Sequence, residues 1–238
     1  MMISIVVPAY NEARRLLPSL EQIFAFMNGR DADYEVIVVD DGSTDATEEM
    51  VRHRCAESPR LRIESYPVNR GKGHAVRHGA ERARGDVILF TDADLSTPIA
   101  ELPRLLTAIE RGADGAIGTR AHPQSDVQVP QPFYRDRAGK LFNVVVRLLL
   151  LPRLRDTQCG FKLFRRVTVA PLFREMREEQ FAFDVELLYL ADRAGLRIAE
   201  VPVIWINSPD SRVSVHQGLA AFLHLLRIWW RHRRRGKD

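Results

Sequence analysis

The chain has 238 residues, of which 45% are apolar, and its formal net charge is +4. Residues 227–238 hold six Lys or Arg and one acid; taken from totals of 35 basic and 31 acidic residues, this leaves 29 and 30, so the rest of the chain has a net charge of −1. This size and composition predict one α/β domain with at most a short appendage, and the neutral body argues against a nucleic-acid-binding domain, whose positive charge usually covers a face.

Sequence features also restrict the compartment. Two cysteines, Cys55 and Cys159, cannot form the framework of a disulfide-rich secreted domain, so a reducing compartment is expected. The first residues lead directly into a predicted strand and lack the segments of a signal peptide. No window reaches the roughly 20 apolar residues of a membrane span. We therefore expect a cytoplasmic protein.

Strands and helices alternate through the first half of the chain. Short apolar runs predict buried strands, and apolar residues at helical spacing predict helices. The predicted strands are residues 3–9, 34–40, 61–66, 86–91 and 114–120, and the predicted helices lie within residues 11–28, 46–57, 69–84 and 97–112. The short connections favour a mixed, mostly parallel sheet with helices on both faces, which is an α/β fold.

The second half is less regular. Residues 121–136 contain three prolines and little periodicity, which predicts a mobile loop. A helix is predicted at about 137–151, a compact segment at 155–166, a helix at 181–195, a strand at 197–206, a loop at 207–215 and a helical tail from Gly218.

Polar residues follow three of the predicted strands at the point where each ends. They are Tyr10-Asn11-Glu12, Asp40-Asp41 and Asp92-Ala93-Asp94. Because ligands of open α/β sheets bind beyond the carboxyl ends of the strands, we expect these three groups to line one crevice.

Asp92 and Asp94 are one residue apart, so in an extended chain their side chains share a side. Two close carboxylates repel unless a cation lies between them, and Mg²⁺ or Mn²⁺ held by one or two carboxylates plus substrate phosphates meets that need. The pair therefore indicates a bridge between protein, metal and diphosphate. The alternative is a solvated turn in which an Asp caps the next helix.

Two further motifs have alternative interpretations. Asp41, before Gly42-Ser43, can accept hydrogen bonds from a base or ribose, or can belong to an ordinary turn. Lys72, between Gly71 and Gly73, can face phosphate or can lie in a flexible turn. The chain has no Walker A sequence and no G-x-G-x-x-G after its first strand, which argues against ATP hydrolysis and against a dinucleotide cofactor.

Six segments together resemble one family. "VVPAYNE", "VIVVDDGSTDAT", "NRGKGHAVRHG" and "ILFTDADLSTP" are similar to inverting nucleotide-sugar glycosyltransferases of family two, which have the GT-A fold. "RDTQCGFKLFRR" and "FAFDVELLYLADRAG" resemble the dolichyl-phosphate glucosyltransferase and polyprenyl-phosphate glycosyltransferase branch. The resemblance implies a GT-A catalytic domain over residues 1–215, followed by an amphipathic helix with a basic tail over residues 216–238.

The resemblance also implies roles for donor-binding residues. Pro8, Tyr10 and Glu12 would line the base and ribose, Asp41 would bind the base with Val39 beside it, Lys72 would lie near the nucleotide, and Asp92, Ala93 and Asp94 would bind the metal, the diphosphate and the sugar's edge. Ser96 stands where the mannosyl branch commonly has a Gln that helps to bind metal, as expected of the glucosyl branch. A third metal ligand is therefore left open.

Four arginines have implied roles around the reaction centre. Arg120 would approach the phosphates, Arg135 or Arg137 would receive the acceptor phosphate, and Arg212, with Ser214, would belong to a loop that closes over the donor. The spacing does not choose between Arg135 and Arg137.

The implied reaction is transfer of a sugar from a nucleoside diphosphate to a polyprenyl or dolichyl phosphate, with Mg²⁺ or Mn²⁺. UDP-glucose is the favoured donor and GDP-mannose the alternative. A phosphate acceptor is already ionised near neutral pH and hardly needs a general base. A hydroxyl acceptor on a glycan, small molecule or protein would need one, and Asp184 or Glu186 would be the candidates. Otherwise these two acids form a solvated helix face or anchor the 156–161 segment.

The tail has two interpretations. Leu219, Phe222, Leu223, Leu226 and Trp230 lie at helical spacing before a basic cluster, which suits a helix lying in the interface of an anionic membrane. The alternative is a helix docked on the domain with a disordered basic end. A lipid acceptor favours the membrane, so we expect peripheral attachment to its cytoplasmic face. A non-enzymatic protein whose tail binds nucleic acid is disfavoured, because acids follow all three strands.

Overall fold

The structure is a computed structural model that describes residues 1–129, 133–207 and 215–234. The strands are β1 (Ile3–Ala9), β2 (Tyr34–Asp40), β3 (Leu61–Ser65), β4 (Val87–Thr91), β5 (Gly115–Thr119), β6 (Asp126–Val129), β7 (Phe161–Arg165), β8 (Ile198–Pro202) and β9 (Ile204–Ile206). The α-helices are α1 (Leu16–Asn28), α2 (Thr47–Glu57), α3 (Lys72–Arg82), α4 (Leu102–Glu110), α5 (Phe133–Leu149), α6 (Arg166–Glu175), α7 (Phe183–Arg193) and α8 (Val215–Arg234). A short 3₁₀ turn, Ile99–Glu101, precedes α4.

Within the described residues, seven strands form the main sheet in the order β3-β2-β1-β4-β7-β5-β8. Strand β7 is antiparallel to both of its neighbours, β4 and β5, and the other pairs are parallel. The predicted mixed, mostly parallel sheet is therefore confirmed.

Helices cover both faces of the sheet, which explains why its strands are continuous apolar runs. Ile5 and Val7 of β1 belong to a core shared with α1 and α4, whereas Val6 belongs to the opposite core, shared with α3 and α5–α8. A strand that is buried on both faces has no polar side to present, so its sequence does not alternate.

The structure corrects three predictions in the second half. Residues 121–136 were expected to be a loop, but β6 lies within them and pairs in parallel with β9, and α5 begins at Phe133 rather than near residue 137. The strand predicted at 197–206 is two strands, because the chain leaves the main sheet after Pro202 and residues 204–206 pair with β6 in a second sheet. Strand β7 was not predicted, since Lys162 at its centre makes the run look polar.

No described helix is long and apolar enough to cross a bilayer. The carboxyl ends of β1, β2 and β4, which are adjacent and parallel, meet at one edge of the sheet. This edge positions the candidate site.

Candidate active site

The structure brings together the polar residues that follow β1, β2 and β4. The backbone N–H of Asn11 donates to Ser43 Oγ at 2.8 Å, and its side-chain oxygen accepts from the N–H of Thr44 at 2.7 Å. Arg15 donates to Glu12 Oε1 at 2.6 Å and lies 3.4 Å from Asp94 Oδ2. One arginine thus links the end of β1 to the end of β4, as expected of strand ends that share a crevice.

Asp92 and Asp94 each contact a cation of the chain. The side chains of Asp92 and Asp94 are 34% and 17% exposed. Asp92 Oδ1 lies 2.5 Å from the Lys72 ammonium, and Asp94 Oδ1 accepts from the N–H and hydroxyl of Ser96 at 3.1 and 2.9 Å. Leu95, directly after Asp94, has a φ of 46°, a left-handed conformation that bulky residues rarely adopt. The turn thereby gives the two carboxylates different partners.

The glycines beside Lys72 allow close packing. Gly71 has a φ of 107°, and a Cβ built there would lie 2.5 Å from the Glu179 carbonyl oxygen. A Cβ on Gly73 would lie 2.5 Å from Phe183 Cβ. The start of α3 therefore packs against residues 178–183, which contradicts the flexible-turn interpretation of this motif. Burial disfavours the charged ammonium, but Asp92 and then Asp184 outweigh it, so the pKa of Lys72 is raised.

Asp41 organises the loop that leads to Lys72. Its buried carboxylate accepts hydrogen bonds from the N–H groups of Arg70 and Gly71 at 2.8 and 2.9 Å, and from the Asn69 amide at 2.9 Å. Three donors already bind this side chain, so it fixes the backbone of the loop at residues 70 and 71.

The remaining residues predicted to line the nucleotide differ in exposure. Tyr10 is 40% exposed and Pro8 is partly exposed, so both side chains are accessible to a ligand. Val39 is fully buried in the core, which leaves its side chain no contact with a ligand at this edge. Ala93 is buried between the two aspartates.

Two further residues lie at this edge: Asp40, which the sequence placed at the end of β2 without a role, and Tyr66, which was missed. Asp40 Oδ1 and the Tyr66 hydroxyl are buried and have no hydrogen-bond partner among the described residues. Burial raises the pKa of Asp40, and burial together with Asp41 raises the pKa of the Tyr66 phenol. Tyr66 directly follows β3, so its strand-end position is the signal that could have identified it. Groups of this kind suit a ligand that supplies the missing hydrogen bonds.

Arg120 lies close to Asp92 but is held by another acid. Its guanidinium binds Asp156 through two hydrogen bonds of 2.7 and 2.9 Å, and it stacks on Trp205 at 5.3 Å from the ring centroid. Burial would raise the pKa of Asp156, but Arg120 outweighs it and lowers the pKa to about 2. The charges of Arg120 and Asp92 are near enough to interact.

Asp184 forms a buried ion pair with Lys162. The Lys162 ammonium lies 2.5 Å from Asp184 Oδ1 and donates to the Cys159 carbonyl at 2.5 Å. The adjacent Gly160 packs against the Asp92 carboxylate, where any Cβ would overlap an oxygen. Burial raises the pKa of Asp184 in spite of Lys162 and Lys72. Its contacts agree with the predicted anchor for the 156–161 segment.

Glu186 is also buried, so the interpretation of these two acids as a solvated helix face is wrong. Its carboxylate accepts from the N–H groups of Arg177 and Glu178 at 2.8 and 2.5 Å and lies 2.9 Å from His232 Nε2 of α8. A second such pair joins His224 of α8 to Glu178 at 2.7 Å. Helix α8 is thereby fastened to α7 and to the segment between α6 and α7.

Helices α5 and α8 contact each other and both expose apolar side chains. Phe142 of α5 meets Phe222 of α8 edge to face at 5.4 Å. The outward stripes are Leu141, Val144 and Leu148 on α5, and Leu223, Leu226 and Trp230 on α8, each between 48% and 79% exposed.

Three arginines with implied roles form none of the contacts described above, because one is exposed on α5 and the other two have side chains outside the described residues. Arg137 is exposed on α5 and stacks on Phe133 at 4.6 Å. The side chain of Arg135, and Arg212 with Ser214, lie outside the described residues.

The side chains at this edge of the sheet are only partly suited to binding a divalent metal ion. Among the described residues, no cluster of three His, Cys, Asp or Glu could enclose a metal ion. Two carboxylates at an open edge do fit Mg²⁺ or Mn²⁺, which commonly take one or two carboxylates and complete their shell with substrate phosphates and water. Asp92 and Asp94 are therefore the residues that would hold such an ion.

Comparisons with known proteins give matches over most of the chain. A family model described as glycosyl transferase family 2 matches residues 4–173. The dolichyl-phosphate beta-glucosyltransferase of Drosophila melanogaster is 41% identical, covering 89% of this chain and 69% of that protein. The proteins of the same name from Homo sapiens and Saccharomyces cerevisiae are 36% and 33% identical, covering 89% and 90% of this chain and 69% of each relative.

Solved structures match the fold. Glucosyl-3-phosphoglycerate synthase from Mycobacterium tuberculosis, in complex with Mn²⁺ and UDP-glucose, has a TM-score of 0.69 and 22% identity, covering 96% of this chain and 79% of that one. Mannosyl-3-phosphoglycerate synthase from Rubrobacter xylanophilus has a TM-score of 0.76 and 18% identity, covering 100% and 76%.

Proposed function

Because the chain belongs to glycosyl transferase family 2, we propose that it transfers glucose from a nucleoside diphosphate sugar to dolichyl phosphate or a related polyprenyl phosphate. The predicted family, its branch and the GT-A fold are confirmed by these matches. The observation that carries the proposal is identity of 33–41% over about nine tenths of the chain with dolichyl-phosphate beta-glucosyltransferases.

UDP-glucose with Mn²⁺ or Mg²⁺ is the proposed donor complex, with GDP-mannose as the alternative donor. A glycosyltransferase of the same fold binds Mn²⁺ and UDP-glucose, which supports a divalent ion. We assign the metal and diphosphate to Asp92 and Asp94. The base and ribose are assigned to the edge formed by Pro8, Tyr10, Glu12 and Asp41, and the unpaired polar atoms of Asp40 and Tyr66 support that assignment.

The chain's own groups would act mainly by positioning and by electrostatics. A bound divalent ion would supply positive charge where the leaving diphosphate becomes more negative. Arg120, rigidly held by Asp156, adds a fixed positive charge near the same point. The acceptor phosphate is already an anion, so its oxygen can attack the anomeric carbon without a base, and the displaced diphosphate leaves from the opposite face. This agrees with Asp184 being bound to Lys162. Arg135 or Arg137 remains the proposed contact of the acceptor phosphate.

The acceptor reaction is tested with a donor panel. Purified protein is given UDP-glucose or GDP-mannose together with detergent-dispersed dolichyl phosphate or with soluble hydroxyl acceptors. We expect UDP-glucose and lipid phosphate to react and EDTA to stop the reaction. Asp94→Asn should lower the rate by about a thousandfold or more, equivalent to about 4 kcal/mol. The control Asp31→Asn, an exposed loop acid, should not.

Transfer to soluble hydroxyl acceptors alone would overturn the lipid acceptor. Wild-type rates from Asp94→Asn would overturn the metal assignment.

The membrane is the second proposed partner, at its cytoplasmic face. The apolar stripes of α5 and α8, together with exposed Lys140, Arg147 and Arg227, suit the interface of an anionic bilayer. Flotation with vesicles of phosphatidylcholine and phosphatidylglycerol measures the binding of the protein to an anionic membrane. We expect Leu226→Glu to weaken binding about tenfold, the loss of one buried leucine. Val167→Glu, at a more exposed apolar site on α6, is the control. Equal binding of both variants would contradict the proposal.

A further inference from the structure

Lys72 and Asp92 form an ion pair at the open rim of the site. Their nearest charged atoms are 2.5 Å apart, and the side chains are 22% and 34% exposed. An ion or ligand from solution can therefore reach both partners. Asp94 has Arg15 at 3.4 Å, and Asp184 has Lys162 at 2.5 Å. Each carboxylate of this group thus already faces a cation that belongs to the chain.

The ion pair between Lys72 and Asp92 opposes the binding of a metal ion at Asp92. Two close carboxylates attract a divalent ion because their mutual repulsion is unrelieved. Here Lys72 relieves it at Asp92, so a metal that binds Asp92 must first separate an existing ion pair. The positive ammonium would also repel a divalent ion a few ångströms away.

We propose that Lys72 is a resident counter-ion that a divalent metal displaces from Asp92, and that the released ammonium then binds the donor's diphosphate. The proposal rests on the assignment of Asp92 as a metal ligand. This exchange makes the metal and the nucleotide bind cooperatively. The metal replaces Lys72 as the partner of Asp92, and the diphosphate then binds both the metal and the Lys72 ammonium.

The backbone around Lys72 allows this exchange without refolding. Gly71 and Gly73 pack against Glu179 and Phe183, so the first turn of α3 is fixed. The side chain alone has to move, and its ammonium lies 5.9 Å from the Phe183 ring centroid. Lys72 is the first residue of this 11-residue helix, whose N-terminal N–H groups favour an anion. The diphosphate and the released ammonium would meet at that helix end.

The test measures Mn²⁺ binding directly, through the electron paramagnetic resonance signal of free Mn²⁺, with and without UDP. Lys72→Met removes the competing cation, so we expect it to bind Mn²⁺ about fivefold more tightly than the wild type when UDP is absent. Its affinity for UDP in the presence of Mn²⁺ should fall, because the released ammonium is missing, so the enhancement of Mn²⁺ binding by UDP should shrink. Lys72→Arg keeps the charge and should retain weak Mn²⁺ binding.

Arg30→Met is the control, because Arg30 is an exposed basic residue just after α1. It should bind Mn²⁺ as the wild type does. If Lys72→Met is unstable by circular dichroism, Lys72→Gln is used in its place. Unchanged or weaker Mn²⁺ binding by the neutral variant would overturn the counter-ion role. Failure of the wild type to bind Mn²⁺ even with UDP would instead overturn the metal assignment on which the proposal rests.

Discussion

Two lysine–aspartate pairs, at the same separation of 2.5 Å, lie in contrasting regions of this molecule. Lys72 and Asp92 are at the open edge of the sheet, with side chains 22% and 34% exposed. Lys162 and Asp184 lie beneath that edge, with side chains 0% and 5% exposed. The difference teaches that the surroundings of an ion pair, more than its length, decide whether its partners can be exchanged.

The buried pair is also the better connected one. Lys162 donates to the Cys159 carbonyl and lies over the Phe90 ring at 5.3 Å from its centroid. Breaking it would leave a charge in a region of low dielectric, whereas a partner lost from the open pair is replaced by water. The buried pair fixes the backbone at Gly160, and Gly160 limits where the Asp92 carboxylate can lie.

The largest expected effect is the difference in stability between variants of the two lysines. Lys162→Met should lower the free energy of unfolding by about 3–5 kcal/mol, because it leaves Asp184 buried without its partner. Lys72→Met should lower it by about 1 kcal/mol or less, as for a solvent-accessible pair. Urea unfolding followed by circular dichroism measures both. Equal losses would break the comparison.

A smaller effect is expected where the two regions touch. Gly160→Ala places a Cβ against Asp92, so the carboxylate must shift. We expect transfer to slow by about a hundredfold, since a displacement of about 1 Å at a reacting centre has effects of that size. Steady-state kinetics give the rate, and thermal unfolding checks the fold. Unchanged kinetics would mean that the buried region does not position the open one.

The smallest effect is on acid stability, through the pair that Arg120 forms with the buried Asp156. Arg120 holds the pKa of Asp156 at about 2, below its ordinary 3.8. A lowered carboxyl pKa contributes stability that is complete above the ordinary value and is lost as the pH falls from about 4 to 2. The contribution is about 2 kcal/mol. Asp156→Asn should flatten the pH dependence of unfolding in that window, and an unchanged slope would contradict the assignment.

The strand ends that line the candidate site were predictable because their signals are local. Asp41 and Asp92 each follow a run of apolar residues that is buried on both faces, so the strand end and its carboxylate are adjacent in sequence. The same rule placed Asp40 at this edge, and Tyr66 follows it and could have been included. Their polar atoms lack hydrogen-bond partners because of the way the chain packs, and a local sequence pattern does not predict this packing.

The supporting half could not be predicted in the same way. Lys162 looks like a surface residue within β7, and its burial depends on Asp184, 22 residues away on helix α7. Glu186 and His232 are 46 residues apart, so neither predicts the other. The glycines around Lys72 were identifiable, but the segment that they pack against lies more than 100 residues further along the chain. Long-range pairing of this kind leaves no periodic trace.

The fastening of α8 has one further consequence. Its His224 and His232 bind Glu178 and Glu186, and Glu186 holds the backbone of residues 177 and 178. The next residues of that same strip pack on Gly71 and Gly73, which flank Lys72. If α8 binds a membrane as proposed, a displacement of this helix would be transmitted through a few residues of backbone to the Lys72 ammonium beside Asp92. Membrane attachment and uptake of the proposed nucleotide-sugar donor would then be mechanically linked.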